Sequence, residues 1–277
     1  MKSPIYKTIP LGPAEGSGYG RRSVLKGLAA APLASGLANV LANPKLARAA
    51  AETLEEVQLT LSNGDTVSAS LARPADTPAQ AVLLIHEWWG LNDQIKTMAA
   101  EFAEQGYLAL AVDLYGGEVA EAGNREKARE LTQELDPEVA TETLVAWIDW
   151  LRDHDDSTGK VATVGWCFGG AWSLNASIAT PVDATVIYYG RVDRSVEDLK
   201  KLKGPVLGHF GRQDEAITAE MVETFASRMD EAGKDLTLYW YDAGHAFANP
   251  TGARYDEEDA ATAWDRTLVF LKAQLRE

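Results

Sequence analysis

The chain is 277 residues long, 46% apolar and 24% charged, the composition of an ordinary globular protein large enough to bury one substantial core. Its formal net charge of −15 is unevenly spread: from residue 50 onward 19 Lys and Arg face 40 Asp and Glu, a net −21. A surface this acidic, with no basic stripe to offset it, repels nucleic acid and anionic lipid, so neither is expected as a partner.

The first fifty residues differ in kind, with 7 Lys and Arg against the single acidic Glu15. The run "RRSVLK" at Arg21–Lys26 resembles the twin-arginine export signal. A modest apolar segment follows, and "ARA" at 47–49 fits a small-x-small cleavage site near Ala49. The apolar segment is too rich in Gly, Ala and Pro to anchor the chain stably in a membrane. The expectation is an export signal and disordered N-terminus over 1–50, read by the twin-arginine export machinery. A single domain over 51–277 would then be delivered to the periplasm or the extracellular space. Cys167 is the sole cysteine, so no internal disulfide forms and the fold must stand on its core.

Residues 54–72 read as a hairpin around Asn63–Gly64. Beyond it, apolar strand-like runs at 81–86, 107–114, 160–166, 183–190, 205–211 and 236–242 alternate with helical stretches. The helices are expected near 93–105, 122–134, 137–153, 169–179, 195–202, 217–232 and 256–275. Continuous apolar runs suit strands covered by helices on both faces. The fold expected is α/β: a mostly parallel eight-stranded sheet with helices on both faces.

In such a sheet, functional groups collect beyond the carboxyl ends of the strands. Four ends carry reactive residues: His86–Glu87, Cys167, Asp214 and His245. "HEWWGLN" at 86–92 lacks the second His that a zinc motif needs one helical turn later, since position 90 is Gly; no metal and no cofactor are expected. Gly165-Trp166-Cys167-Phe168-Gly169, between a strand and a helix, has the G-x-nucleophile-x-G form of a nucleophile elbow, with Cys in place of Ser. The turn is so tight that bulk two positions either side would clash, and the helix that follows aims its amides at the sulfur. The alternative is a small buried structural cysteine. Asp214 and His245 follow beyond later strands, in the chain order nucleophile, acid, histidine of α/β-hydrolases. His245 could then serve as general base, with Asp214 fixing its tautomer. Taken singly, Asp214 could instead cap the helix near Thr218, and His245 could be a backbone-bonded loop imidazole.

The segments "IHEWWGLN", "AVDLYGG", "GWCFGG", "YYG", "GRQDE" and "GHAF", in this order, resemble the dienelactone hydrolase family over about residues 55–275. The resemblance implies Cys167 as nucleophile, His245 as base, Asp214 as its orienting acid, and the amides of Phe168 and Trp88 as an oxyanion hole. It implies that Glu87 sits beside the thiol and takes part in its substrate-dependent activation. On that reading the nearby carboxylate disfavours the thiolate, and Cys167 rests protonated and resists mild oxidant. The activity implied is hydrolysis of a small activated ester or lactone through a thioester. One alternative uses the same residues for acyl transfer to a non-water acceptor; another, of a different class, is a non-catalytic exported binding protein on a hydrolase scaffold, with an unreactive Cys167. One departure concerns the arginines that hold the substrate carboxylate in the family, whose places are taken by Gly117 and Asn249. Arg191 and Arg212 could substitute for them, unless they are surface ion pairs. Trp89, Tyr115, Tyr188 and Phe247 complete the expected pocket with Arg191, around an apolar substrate.

Overall fold

The computed structural model describes residues 7–9 and 44–276. The strands are β1 (Lys7–Ile9), β2 (Glu55–Thr60), β3 (Thr66–Ala72), β4 (Ala79–Ile85), β5 (Leu108–Val112), β6 (Ser157–Trp166), β7 (Ala184–Tyr188), β8 (Val206–Gly211) and β9 (Leu236–Tyr241). The helices are α1 (Pro44–Ala51), α2 (Asp93–Glu104), α3 (Arg125–Glu134), α4 (Pro137–Asp153), α5 (Phe168–Ala179), α6 (Val196–Leu199), α7 (Ala219–Glu231) and α8 (Glu257–Gln274). One sheet runs β1-β9-β8-β7-β6-β4-β5-β3-β2. β2 and β3 pair antiparallel, as do β3 and β5, and all other neighbours are parallel. The eight expected strands are all present.

The ninth, β1, was not expected. It lies parallel to edge strand β9, with Thr8 opposite Leu238, and three residues are too few to show a strand's alternation in sequence. Residues 44–51, grouped with the leader through residue 50 in the sequence reading, form α1. It lies against α2, where the Ala47 carbonyl accepts the Thr97 hydroxyl at 3.0 Å. The twin-arginine run at 21–26 lies outside the described residues. Among the described residues, no helix is long and apolar enough to cross a membrane.

The alternation of the central strands feeds two cores. Val82 and Leu84 of β4 meet Ile95 and Phe102 of α2 and Trp264 and Leu271 of α8 on one face. Leu83 and Ile85 meet Trp147, Ile148 and Leu151 of α4 on the other. Each side chain fully buried in this way contributes about 1.5–3 kcal/mol. A third cluster joins Phe210 and Trp240 to Val222, Phe225 and Met229 of α7. Most helices start at a side-chain cap: Asn92 for α2, Asp136 for α4 with Pro137 behind it, Thr218 for α7 and Asp256 for α8. Among the helices whose first residues' caps are described, α5 is the exception. Its capping position is Cys167, whose side chain makes no cap bond. Because β4, β6, β8 and β9 run parallel, the loops bearing Glu87, Cys167, Asp214 and His245 all leave the sheet at the same edge.

Candidate active site

Cys167 sits where β6 turns directly into α5, with φ 53° and ψ −114°. A non-glycine residue in this region costs of order 1–3 kcal/mol, so the surroundings must impose it. They do so through backbone bonds: the Cys167 amide donates to the Tyr188 carbonyl at 3.0 Å, and the Gly170 amide to the Cys167 carbonyl at 3.1 Å. The flanking glycines are required sterically. A Cβ on Gly165 would lie 1.9 Å from the Gly169 carbonyl oxygen, and one on Gly169 would lie 2.1 Å from that of Ile85. Phe168 opens α5 in the first turn, where helix amides have no carbonyl of their own to bond. The positive end of the helix thus lies beside the sulfur.

His245 follows β9 and lies between the other two candidates. Its Nδ1 is 2.7 Å from Asp214 Oδ2 and its Nε2 is 3.1 Å from Cys167 Sγ. The other Asp214 oxygen accepts the amides of Ala216 and Ile217 at 2.8 and 2.9 Å. Burial pushes the Asp214 carboxyl up, but the His245 bond and these amides outweigh it and hold the group below its usual range. Burial likewise pulls His245 down. Its bonds to Asp214 and Cys167 prevail and raise it to about 10. The capping alternative for Asp214 is not realised at α7, whose cap is Thr218, and the backbone-bonded alternative for His245 is replaced by two side-chain partners.

Glu87 is buried at 2% exposure and stands where a negative charge acts on His245, but it makes no hydrogen bond to the sulfur. Its oxygens accept the Tyr189 hydroxyl at 3.3 Å and the Asn249 side-chain amide at 2.5 Å. The sulfur's hydrogen-bond partner is His245, and the two Glu87 oxygens are taken by Tyr189 and Asn249. Burial raises the Glu87 carboxyl above its usual range, against the pull of Asn249, His245 and Tyr189. Its neighbour His86 is structural. The Leu114 amide donates to its Nε2 at 3.3 Å, which leaves Nδ1 to donate to the Glu87 carbonyl at 2.6 Å. The ring is fully buried and stacks on Phe168.

The expected pocket residues separate into two groups. Trp88 and Trp89 are half-buried and meet edge to face at 4.9 Å. Tyr115 lies against Phe168, its hydroxyl 3.1 Å from Thr132 Oγ1. Tyr188, Phe247 and Arg191 are not supported as pocket residues. Tyr188 and Phe247 are enclosed at 2% and 0% exposure. The Tyr188 hydroxyl donates to the Ala263 carbonyl and lies 2.6 Å from Thr267 Oγ1 of α8, while Phe247 packs on Tyr241 and Tyr189. Arg191 is engaged by Asp193 at 2.8 and 3.0 Å. Arg212 stacks on Trp240 instead of facing the sulfur's partners. Three residues near the relay were not singled out as site residues from sequence: Tyr189, Asn249 and Arg254. The charge of Arg254 reaches Glu87, and it makes no ion pair among the described residues.

A profile of the dienelactone hydrolase family matches residues 67–275. The carboxymethylenebutenolidase of Pseudomonas putida is 31% identical over 226 residues, covering 78% of this chain and 95% of its own. Carboxymethylenebutenolidase 1 of Cupriavidus pinatubonensis is 27% identical over 223 residues, with the same coverage of 78% and 95%. Among solved structures, a dienelactone hydrolase-like promiscuous phosphotriesterase from metagenomic libraries superposes with TM-score 0.71 at 22% identity, covering 80% of this chain and 99% of its own. That likeness bears on the fold alone, whereas the sequence match spans nearly the whole α/β domain, and by it the chain belongs to the dienelactone hydrolase family.

Proposed function

We propose that the protein hydrolyses an activated ester or lactone through a thioester on Cys167, with His245 as proton carrier and Asp214 as its orienting partner. The reading rests on one observation: the continuous relay from Asp214 to His245 to the sulfur, at 2.7 and 3.1 Å, ending at the start of a helix. His245 Nε2 takes the thiol proton as the sulfur attacks the carbonyl carbon, and the resulting oxyanion lies against the amides of Phe168 and Trp88. As the tetrahedral adduct collapses, the C–O bond breaks and His245 gives its proton to the departing oxygen. His245 then takes a proton from water, the hydroxide attacks the thioester, and as its C–S bond breaks the acid leaves and His245 returns the proton to the released sulfur. A thiolate attacks well and leaves well, which suits enol esters, aryl esters and lactones better than amides. Trp88, Trp89, Tyr115 and Phe168 give the approach an aromatic wall.

The test is acyl trapping. Brief incubation with an aryl ester at limiting water activity is expected to add one acyl mass to the peptide containing Cys167, and Cys167→Ala is expected to abolish both adduct and turnover. Ester turnover at the wild-type rate in Cys167→Ala would remove the assignment.

We further infer that the segment around Arg21 and Arg22 directs export of the folded protein, because the basic pair, the apolar run and a small-residue site occur in the right order. Processing near Ala49 would detach most of α1 from α2. The double change Arg21→Lys and Arg22→Lys is expected to leave the full-length protein in the cytoplasm of its host. Unaltered export of that variant, by cell fractionation, would discard the signal.

A further inference from the structure

A carboxylate as buried as that of Glu87 must find donors, and the structure supplies two, Tyr189 and Asn249. The Asn249 amide has no choice of orientation. The amide and the hydroxyl of Thr251 both donate to its Oδ1, at 2.9 and 2.7 Å, so Nδ2 alone is left to face Glu87. Asn249 is itself 3% exposed, four residues beyond His245. Its backbone closes the turns of that loop: its amide donates to the Ala246 carbonyl at 3.1 Å, and its carbonyl accepts the Gly252 amide at 3.0 Å. One side-chain amide therefore joins the loop that carries His245 to the loop that carries Glu87. The Tyr189 hydroxyl donates to Glu87 at 3.3 Å, and the same ring meets that of His245, the sulfur's partner, edge to face at 5.3 Å, so one side chain spans the carboxyl and the relay. Even so, both carboxyl oxygens are engaged elsewhere, and the sulfur's hydrogen bond is with His245.

We propose that Asn249, braced by Thr251, is a positioning residue that holds Glu87 clear of the Cys167 sulfur and so keeps the sulfur paired with His245 before any substrate arrives. Without that amide, Glu87 loses a donor that favours its charged form and is free to turn toward the sulfur. As a carboxylate it would repel the thiolate; as a carboxylic acid it would compete with His245 for it. Either way the thiol becomes less reactive. The role rests on the reading of Cys167 as nucleophile, and it reverses the expectation that Glu87 keeps the resting thiol unreactive.

The experiment measures the rate at which iodoacetamide alkylates Cys167 in the full chain, without substrate and at neutral pH. Asn249→Ala is expected to slow alkylation about tenfold, and adding Glu87→Gln to that variant should restore the rate to within about threefold of wild type. A loss caused by a displaced His245 loop would not recover when Glu87 is neutralised, so the rescue separates positioning from structure. Should circular dichroism show that Asn249→Ala is unfolded, the milder Thr251→Val, alone and with Glu87→Gln, decides in its place. Its expected slowing is about two- to threefold, with the same rescue. Alkylation at the wild-type rate in the folded variant, or slowing that Glu87→Gln does not relieve, overturns the proposal. Because alkylation reports the sulfur and not ester turnover, a flat result here alongside lost turnover in Cys167→Ala would remove the positioning role alone.

Discussion

Replacing Asp214 by asparagine lowers kcat/KM toward an activated aryl ester by about 10³–10⁴-fold, although the two side chains have nearly the same shape, because the histidine is left in the wrong tautomer. The backbone dictates how the new amide must sit. Oδ1 of Asp214 accepts two main-chain amides, from Ala216 and Ile217, and only an oxygen can occupy that position. The NH₂ group of the asparagine is therefore forced toward His245 Nδ1, which now has to accept. The ring proton moves to Nε2, the nitrogen 3.1 Å from the sulfur, and that nitrogen can no longer take the thiol proton. Asp214→Ala imposes no tautomer and is expected to lose less. Kinetics of the two variants, with thermal melts to confirm folding, check the argument. Activity of Asp214→Asn equal to or above that of Asp214→Ala would show that tautomer control is not the function of this carboxylate.

The scaffold was legible because β4 to β9 are short, near-continuous apolar runs separated by well-punctuated helices, and such patterns do not depend on distant partners. The relay residues were legible for a related reason. Each stands one to four residues past a strand end, and a parallel sheet brings all such ends to one edge. What the sequence concealed was the direction each side chain takes there. The pair Tyr188–Tyr189 shows the difficulty. Tyr188, the last residue of β7, points toward α8, while Tyr189 adopts φ 38° just beyond the strand and turns its hydroxyl onto Glu87. A one-residue shift at a strand end exchanges a core residue for a site residue, and periodicity cannot resolve it. Asn249 was hidden differently. In the sequence it is the absence of an arginine; its positive role exists only through Thr251 and Glu87, two and 162 residues away. Arg191 was expected in the pocket, whereas Asp193, two residues on, accepts from its Nε and Nη2.

The elbow glycines should govern stability as much as reactivity, and Gly169→Ala is expected to destabilise the fold by about 3 kcal/mol or more, the upper end of overpacking costs. A methyl group there would sit 2.1 Å from the Ile85 carbonyl oxygen and 2.5 Å from that of His86. Both are backbone atoms, so no rotamer change relieves the contact. Ile85 is paired in register with Gly165 across β4 and β6, and yielding means parting two central strands. For a domain of this size each kcal/mol corresponds to roughly 2–4 °C in Tm, so the expected fall is about 6–12 °C. The fitting comparison is Gly106→Ala. Gly106 has φ 91°, but a methyl group on it would meet nothing within 4 Å, so only left-handed strain of about 1–2 kcal/mol is added. A fall for Gly169→Ala no larger than for Gly106→Ala would mean that the close approach of α5 to β4 is not what constrains the elbow. A larger fall, accompanied by loss of Cys167 alkylation, would tie both properties to one contact: any push on the Ile85 and His86 carbonyls also displaces the loop that carries Glu87 and Trp88, so the spacing that forces Cys167 into its conformation also sets the groups around its sulfur.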